Sequence, residues 1–239
     1  MSRFRGTFTS RSKADGSLVT EVDEATEDEI RAIVARERPQ DAFLGEERGE
    51  TGSGNRRWIV DAIDGTVSFA AGTTGWGTLI ALEVDGAVVV GVCEMSPIGK
   101  RYWGARRRGA YVSSEGEADV RLAVSGTAEL AAARCFVPPA LWVRSDAARA
   151  MSSALGAASL PYEQDEHPAL EVAAGSAELC VFFMAGPWDL AAPSVVVEEA
   201  GGRFSDLAGG RTLTNGAVFS NGRLHDAAIE LLQQAGRVP

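Results

Sequence analysis

The chain has 239 residues, of which 45% are hydrophobic and 23% are charged, a composition typical of a globular protein. Its formal net charge of −10 argues against a nucleic-acid backbone as the main partner. No apolar run approaches the roughly 20 residues that span a membrane, and the basic N-terminus lacks the apolar core of a secretory signal. Cys93, Cys135 and Cys180 show no paired spacing, which favours small core residues in a reducing cytoplasm.

The first half of the chain predicts one helix followed by antiparallel strands. Apolar residues at helical spacing over 24–38, with Pro39 as a stop, indicate an amphipathic helix. Two β-rich runs, 76–84 and 87–95, are joined by Asp-Gly and predict a hairpin. A further strand pair is expected at 101–105 and 109–113, around a solvated turn of three arginines.

The second half changes character and predicts alternating helices and strands. Helices are expected at 127–132, 141–155, 189–200 and 226–235. Short strands are expected near 133–137, 159–162, 178–184, 203–205 and 217–220. The predicted fold class is therefore α/β, with an α+β first half (1–125), an α/β second half (126–239) and a cleft between them.

A short acidic segment, WIVDAIDGT (58–66), points to a metal site. Asp61 stands at the end of an apolar run, and a tight turn would bring Asp64 into the same space while leaving the carbonyl of Ile63 free. Two carboxylates and a carbonyl suit a hard cation such as magnesium, which would also remove their mutual repulsion. The backbone N–H groups of Gly65 and Thr66 are placed to hold an anion such as phosphate. The alternative is a plain turn with a helix cap.

Two other acidic positions support the metal interpretation. Glu46 ends the apolar run 42–44, and Asp189 stands at the start of an apolar helix, where the alternative role is an N-cap. None of these carboxylates has an evident counter-charge, and no histidine or cysteine cluster competes with them. The pattern favours magnesium over zinc.

Four segments resemble the inositol monophosphatase family of magnesium-dependent, lithium-sensitive phosphatases. They follow the family's order and spacing, and they are KADGSLVTEVD (13–23), LGEE (44–47), WIVDAIDGT (58–66) and WDLAAPSVVVEEAGG (188–202). The resemblance implies the layered αβαβα sandwich of the family and a homodimer. Three further segments look similar to the histidinol-phosphate phosphatase branch: 75–92, 99–111 and 198–209.

The resemblance also implies roles for individual residues. Glu46, Asp61 and the Ile63 carbonyl would bind one magnesium ion, and Asp61, Asp64 and Asp189 a second, with a third, weaker ion near Glu46. Thr66 and Asp23 would orient the metal-bound water that attacks phosphorus, with Glu46 also at the catalytic centre. The N–H groups of Gly65 and Thr66 would hold the phosphate, next to Asp64 and Asp189.

Some positions depart from the family pattern, and they affect the expected substrate. Ala62 replaces the usual proline, and Val67-Ser68 replaces a pair that ends in asparagine. Phe182 stands where the inositol enzymes carry a glutamate that contacts inositol, which counts against inositol phosphate as the substrate. The two histidines, His167 and His225, are expected at the surface.

The expected function is hydrolysis of a small-metabolite phosphate ester, with histidinol phosphate as the first candidate. The alternative is a phosphatase of a specialised pathway that acts on a cyclitol, sugar or nucleoside phosphate. An inactive scaffold is a third hypothesis, which the presence of every expected metal ligand disfavours.

Overall fold

The computed structural model describes residues 4–14, 16–138, 143–162, 166–214 and 216–237. Within these ranges the helices are α1 (Glu21–Glu37), α2 (Thr66–Ala70), α3 (Asp146–Ala158), α4 (Pro168–Ala173), α5 (Pro187–Glu199) and α6 (His225–Ala235). The strands are β1 (Ser10–Ser12), β2 (Leu18–Thr20), β3 (Ala42–Gly45), β4 (Gly49–Thr51), β5 (Arg56–Asp64), β6 (Gly77–Val84), β7 (Ala87–Met95), β8 (Lys100–Ala105), β9 (Gly109–Ser114), β10 (Val120–Arg121), β11 (Arg134–Phe136), β12 (Leu160–Pro161), β13 (Leu179–Phe182), β14 (Arg203–Ser205) and β15 (Ala217–Ser220).

The predicted first helix is confirmed as α1, which begins three residues earlier than expected, at Glu21. Thr20 caps it, because its hydroxyl accepts the backbone N–H of Val22 at 3.1 Å. In return, the carboxylate of Asp23 accepts a hydrogen bond from the backbone N–H of Thr20 at 3.0 Å, which completes a capping box. This cap makes Asp23 a buried carboxylate at the start of the helix.

An eight-stranded sheet occupies the first half, in the order β10-β9-β8-β7-β6-β5-β3-β4. The predicted hairpin is confirmed as β6 and β7, and the second strand pair as β8 and β9 around an exposed arginine turn. The pairing is antiparallel except between β3 and β5, which run parallel. The ends of these two parallel strands therefore meet at one edge of the sheet, where Glu46 and Asp61 lie.

A five-stranded sheet forms the second half, in the order β12-β11-β13-β15-β14. The α/β class is confirmed, but the helix predicted over 127–132 is wrong. Only a 3₁₀ turn at Leu130–Ala132 forms there. Tertiary contacts outweigh the helix propensity of alanine, because Asn221 donates a side-chain hydrogen bond to the carbonyl of Thr127 at 2.8 Å.

The helix predicted over 141–155 is confirmed as α3, with a later start at Asp146. The hydroxyl of Ser145 accepts the backbone N–H of Ala148 at 3.1 Å and so caps the helix there. Positions 141 and 142 lie outside the described residues. Short elements that the pattern did not reveal are β1, β2, β4, β10, α2 and α4.

Helix α5 belongs to the second half in sequence but packs on the sheet of the first half. Two glycines make this close approach possible. A Cβ atom at Gly91 would lie 2.3 Å from the carbonyl oxygen of Ala192, and one at Gly104 would lie 3.2 Å from the Cα atom of Val196. Residues 190–197 of the helix are buried, which makes it the element that joins the two sheets around one core.

The division into 1–125 and 126–239 stays a prediction, although residue 125 does fall between the two sheets. Cys93, Cys135 and Cys180 are buried, as expected of small core residues. Within the described ranges, no helix is both long and apolar enough to cross a membrane.

Candidate active site

The end of strand β5 presents the first two predicted metal ligands. Its pairing with β6 shifts register between Asp61 and Asp64, so the strand bends at this point. One carboxylate oxygen of Asp61 accepts the backbone N–H of Ile63 at 2.9 Å, which holds the side chain over the bend. Asp61 is 2% exposed, and Asp64 is more accessible at the wall of a cavity.

Gly65 turns the chain from β5 into α2. Its φ angle is +82°, and a Cβ atom here would lie 2.4 Å from the carbonyl oxygen of Gly75. Gly65 occupies the N-cap position of α2, and no side chain caps that helix. The carboxylate of Asp64 is therefore not a helix cap, and the capping alternative does not account for it.

Asp189 reaches the same place from α5. It is the third residue of that helix, and Gly186, not Asp189, occupies the N-cap position. One carboxylate oxygen of Asp189 accepts the backbone N–H of Gly186 at 2.6 Å. One carboxylate oxygen from each of Asp61, Asp64 and Asp189 lies within 4.8 Å of the others. Such a group of oxygens matches the size of a divalent-cation site.

The electrostatics of this cluster favour a cation. Burial raises the pKa of Asp61 well above its usual value, and the nearby carboxylates of Glu46, Asp64 and Asp189 raise it further. Burial is also the main cause that raises the pKa of Asp64, and it raises the pKa of Asp189 to about 8, with a further rise from Asp64. Bound positive charge would relieve both the desolvation and the repulsion.

Glu46 lies in the same cavity, but it is outside the tight cluster and already has a counter-charge. The ammonium group of Lys13 lies 2.8 Å from a carboxylate oxygen of Glu46 and 2.7 Å from one of Glu47. The expectation that Glu46 lacks a cation is therefore wrong. Burial alone would lower the pKa of Lys13, but its hydrogen bonds to the two glutamates outweigh burial and raise that pKa to about 12.

The loop that carries Glu46 is held by the fully buried Glu27 of α1. The carboxylate of Glu27 accepts the backbone N–H of Glu47 at 2.7 Å and that of Arg48 at 3.1 Å. Arg31 balances the charge of Glu27 at 2.7 Å. The small size of Gly45 is required here, because a Cβ atom would lie 2.2 Å from the Glu27 carboxylate.

Thr66 and Asp23 are brought together as predicted, although 43 residues separate them. The hydroxyl of Thr66 donates to a carboxylate oxygen of Asp23 at 2.8 Å and lies 3.2 Å from the carbonyl oxygen of Ile63. The other oxygen of Asp23 is taken by the backbone and hydroxyl of Thr20. The Thr66 oxygen is thus oriented, with its lone pairs available at the cavity.

A single cavity of about 870 Å³ contains these groups. The residues that line it include eight that the sequence predicted to belong to the site: Glu46, Asp61, Ile63, Asp64, Gly65, Thr66, Phe182 and Asp189. Asp23 is buried behind Thr66. The second half of the chain adds the apolar residues Phe136, Pro138, Phe183 and Met184 to the lining. The cavity is therefore lined by both acidic and apolar side chains.

Both histidines were predicted wrongly, because both are buried. His167 lines the cavity, is 7% exposed, and places its Nε2 atom 3.7 Å from a carboxylate oxygen of Asp64. Burial lowers the pKa of His167, against an opposing effect of Asp64. The sequence gives one signal of an ordered position for His167: it directly precedes Pro168, the first residue of α4. Asp165, its acidic neighbour in sequence, lies outside the described residues.

His225 is fully buried away from this cavity. Its Nδ1 atom lies 2.9 Å from the hydroxyl oxygen of Ser220, and its Nε2 atom lies 2.9 Å from that of Ser205. These contacts tie α6 to strands β14 and β15. We assign His225 a structural role.

The sequence is similar to those of known proteins along nearly its whole length. The model of the inositol monophosphatase family matches residues 1–237. A histidinol-phosphatase of Mycobacterium tuberculosis is 38% identical over 92% of this chain and 86% of its own length. A histidinol-phosphatase of Streptomyces coelicolor is 36% identical over 93% of this chain and 86% of its own.

A solved structure shows the same fold. The protein described as an IMPase/NADP phosphatase complexed with Mg²⁺ and phosphate superposes with a TM-score of 0.82 at 22% identity. The match covers 96% of this chain and 88% of that one. The layered fold expected from the sequence is confirmed.

Proposed function

This chain belongs to the inositol monophosphatase family and is a phosphoric monoester hydrolase, and from that premise we propose a magnesium-dependent enzyme that hydrolyses a small-metabolite phosphate ester. The observation that carries the proposal is the meeting of Asp61, Asp64 and Asp189. These residues come from two elements, β5 and α5, that are more than a hundred positions apart in the sequence.

The donor set of the cluster fits magnesium. Its members are carboxylates, which are hard oxygen ligands, and burial, followed by mutual repulsion, raises the pKa values of Asp61 and Asp189. Asp61, Asp64 and Asp189 would hold one ion, and Glu46, Asp61 and the Ile63 carbonyl another. We propose two ions, with a third near Glu46, for which Lys13 is a competing partner. When bound, magnesium supplies charge stabilisation of the phosphoryl group and lowers the pKa of water.

The residues of the chain orient the reactants. The hydroxyl of Thr66 donates its hydrogen bond to Asp23, so its oxygen can accept a hydrogen bond from the attacking water and set the direction of attack. The backbone N–H groups of Gly65 and Thr66 hold phosphate oxygens. Water attacks phosphorus in line with the departing ester oxygen, and no side chain forms a covalent intermediate.

Histidinol phosphate is the first candidate substrate. The support is the pair of relatives that carry the name histidinol-phosphatase at 36–38% identity. A phosphate of a cyclitol, sugar or nucleoside is the second candidate, since Phe182, which lines the cavity, stands where the resemblance places the inositol-contacting glutamate of the inositol enzymes. Assembly as a homodimer stays an expectation of the family.

The test is phosphate release from histidinol phosphate, nucleoside monophosphates, sugar phosphates and inositol phosphates, with magnesium and with EDTA. We expect EDTA to abolish release and added magnesium to restore it. Magnesium should also raise the melting temperature of the wild type, because it binds only the folded chain. Asp61→Asn should lose that thermal shift, whereas Asp226→Asn, a surface variant, should keep it. Full turnover in metal-free buffer would refute the proposal.

A further inference from the structure

Two aromatic rings form one side of the cavity next to the acidic cluster. The ring centroids of His167 and Phe182 are 5.9 Å apart, and the ring planes are inclined by 32°. Phe182 is supported from behind by the fully buried Phe219, in an edge-to-face contact at 5.9 Å. The position of the Phe182 ring is therefore set by the core, and we call His167 and Phe182 the aromatic pair.

The aromatic pair adjoins the place where the phosphate ester must react. Nε2 of His167 lies 3.7 Å from Asp64, one of the three clustered carboxylates. Phe182 contacts the ring of the same histidine and also lines the cavity. An alcohol whose phosphate sits at the cluster would place its first few atoms beside these two rings.

Few polar atoms of the described residues around the aromatic pair are free to bind a ligand. The buried Nδ1 atom of His167 has no hydrogen-bond partner among the described residues, and its Nε2 atom faces the carboxylate of Asp64 at 3.7 Å. The nearby carboxylate of Glu166 is already bound by Lys100 and Tyr102. Phe136, Phe183 and Met184 add apolar side chains to the lining of the cavity. Hydroxyl groups of a substrate would lose hydration against these side chains without gaining a partner from them.

We infer that the aromatic pair is a subsite for a flat, nitrogen-containing ring in the alcohol part of the substrate. The inference rests on the proposed phosphatase function and narrows its substrate class. Aromatic rings prefer offset or edge-to-face contacts at centroid distances of roughly 4.5–7 Å, which a ring beside Phe182 can reach. The imidazole of His167, whose Nδ1 atom has no partner among the described residues, would gain a hydrogen bond to a ring nitrogen. Histidinol phosphate and nucleoside monophosphates both carry such a ring, whereas inositol and glycerol phosphates do not.

The experiment compares kcat/KM with magnesium for histidinol phosphate, adenosine 5′-monophosphate, myo-inositol 1-phosphate and glycerol 2-phosphate. We expect the wild-type enzyme to prefer histidinol phosphate or adenosine 5′-monophosphate over the inositol and glycerol esters by at least tenfold in kcat/KM. Which of the two ring-bearing esters it prefers shows whether the ring is an imidazole or a nucleobase. Phe182→Leu keeps an apolar side chain but removes the ring, and should reduce that preference roughly tenfold. Phe204→Leu is the matched control, because it also contacts Phe219 but does not line the cavity.

A second pair of variants tests the hydrogen bond of the aromatic pair. His167→Leu should reduce the preference for the ring-bearing ester, and His167→Gln, which retains polar atoms, should restore part of it. A wild type that prefers the inositol or glycerol ester, or a preference that Phe182→Leu leaves intact, would overturn the inference and leave the phosphatase function standing. Absence of phosphate release from every ester with magnesium would instead overturn the proposed function itself.

Discussion

The hydroxyl of Thr66 shows how one side chain is oriented by residues that are distant in sequence. It contacts the carboxylate of Asp23 at 2.8 Å, and Asp23 is itself held by the cap of α1 at Thr20. A threonine directly after glycine in a turn is ordinary in any sequence. Its chemical significance comes from the buried carboxylate behind it, because an oriented hydroxyl can direct a water molecule.

We expect Thr66→Ala to lower kcat by on the order of 10²-fold with little change in KM, because the variant loses the group that orients the water rather than one that binds substrate. Thr66→Ser keeps the hydroxyl and should retain most of the rate. Steady-state kinetics on the preferred substrate would measure both. Equal losses in the two variants would show that the methyl group, not the hydroxyl, is what matters.

At the scale of elements, α5 decides whether the site exists. It carries Asp189 across to the sheet that carries Asp61 and Asp64, and its position depends on the glycine faces of β7 and β8. The loop between β3 and β4 has a similar dependence on α1, through the buried carboxylate of Glu27. The metal ligands are therefore positioned by packing between elements rather than by any one motif.

Gly91→Ala should destabilise the protein and weaken magnesium binding together. The added Cβ atom would lie 2.3 Å from the backbone oxygen of Ala192, so α5 must move. We expect a loss of about 1–3 kcal/mol in the free energy of unfolding, the usual range for overpacking. Urea unfolding and calorimetric titration with magnesium would measure the two effects. Gly126→Ala, where a Cβ atom meets nothing within 4 Å, is the control. A destabilised Gly91→Ala protein with wild-type magnesium affinity would contradict the proposed role of α5.

On the scale of the whole molecule, buried ionisable groups make stability depend on pH in opposing ways. Burial, aided by the charge of Arg203, lowers the pKa of His225 from 6.5 to about 4. Below pH 6.5 the unfolded chain binds a proton at His225, whereas the folded chain binds it only near pH 4. The free energy of unfolding therefore decreases as the pH falls from 6.5 to about 4. The raised pKa values of Asp61 and Asp189 act in the opposite direction in metal-free protein.

Comparison of the wild type with His225→Asn in EDTA isolates the histidine contribution. The stability advantage of the wild type should shrink by on the order of 2–3 kcal/mol between pH 7.5 and pH 4.5, since each pKa unit corresponds to 1.36 kcal/mol. Both proteins retain the carboxylate cluster, so its effect cancels in the difference. Chemical denaturation across this pH range would measure it. A constant difference would mean that His225 is not held neutral by the fold.

Periodicity and turn chemistry are local, and they predicted the longer elements correctly. The Asp-Gly pair at 85–86 specified the hairpin of β6 and β7, and Pro39 ended α1. The short elements β1, β2, α2 and α4 were not predicted, because three to six residues carry too little periodic signal. The error at 127–132 has the opposite cause, since contacts with Asn221 overcame local propensity.

The amino-acid sequence by itself determined which side chains could form the site. Carboxylates at the ends of apolar runs, next to a glycine turn and a hydroxyl, are a chemical pattern that survives without coordinates. The meeting of Asp61, Asp64 and Asp189, and the contact of Thr66 with Asp23, were expected from this pattern and its family resemblance, and the structure has both.

Only the tertiary structure decided what surrounds these groups. Lys13 pairs with both Glu46 and Glu47, and Glu27 holds their loop. His167 lies beside Asp64, with Phe182 next to it. Each of these contacts joins residues from different elements, and burial and pairing of this kind depend on the packing of the whole chain. A lone histidine or lysine gives no periodic or spacing signal, so its surroundings are known only from the packing of the two sheets against α5.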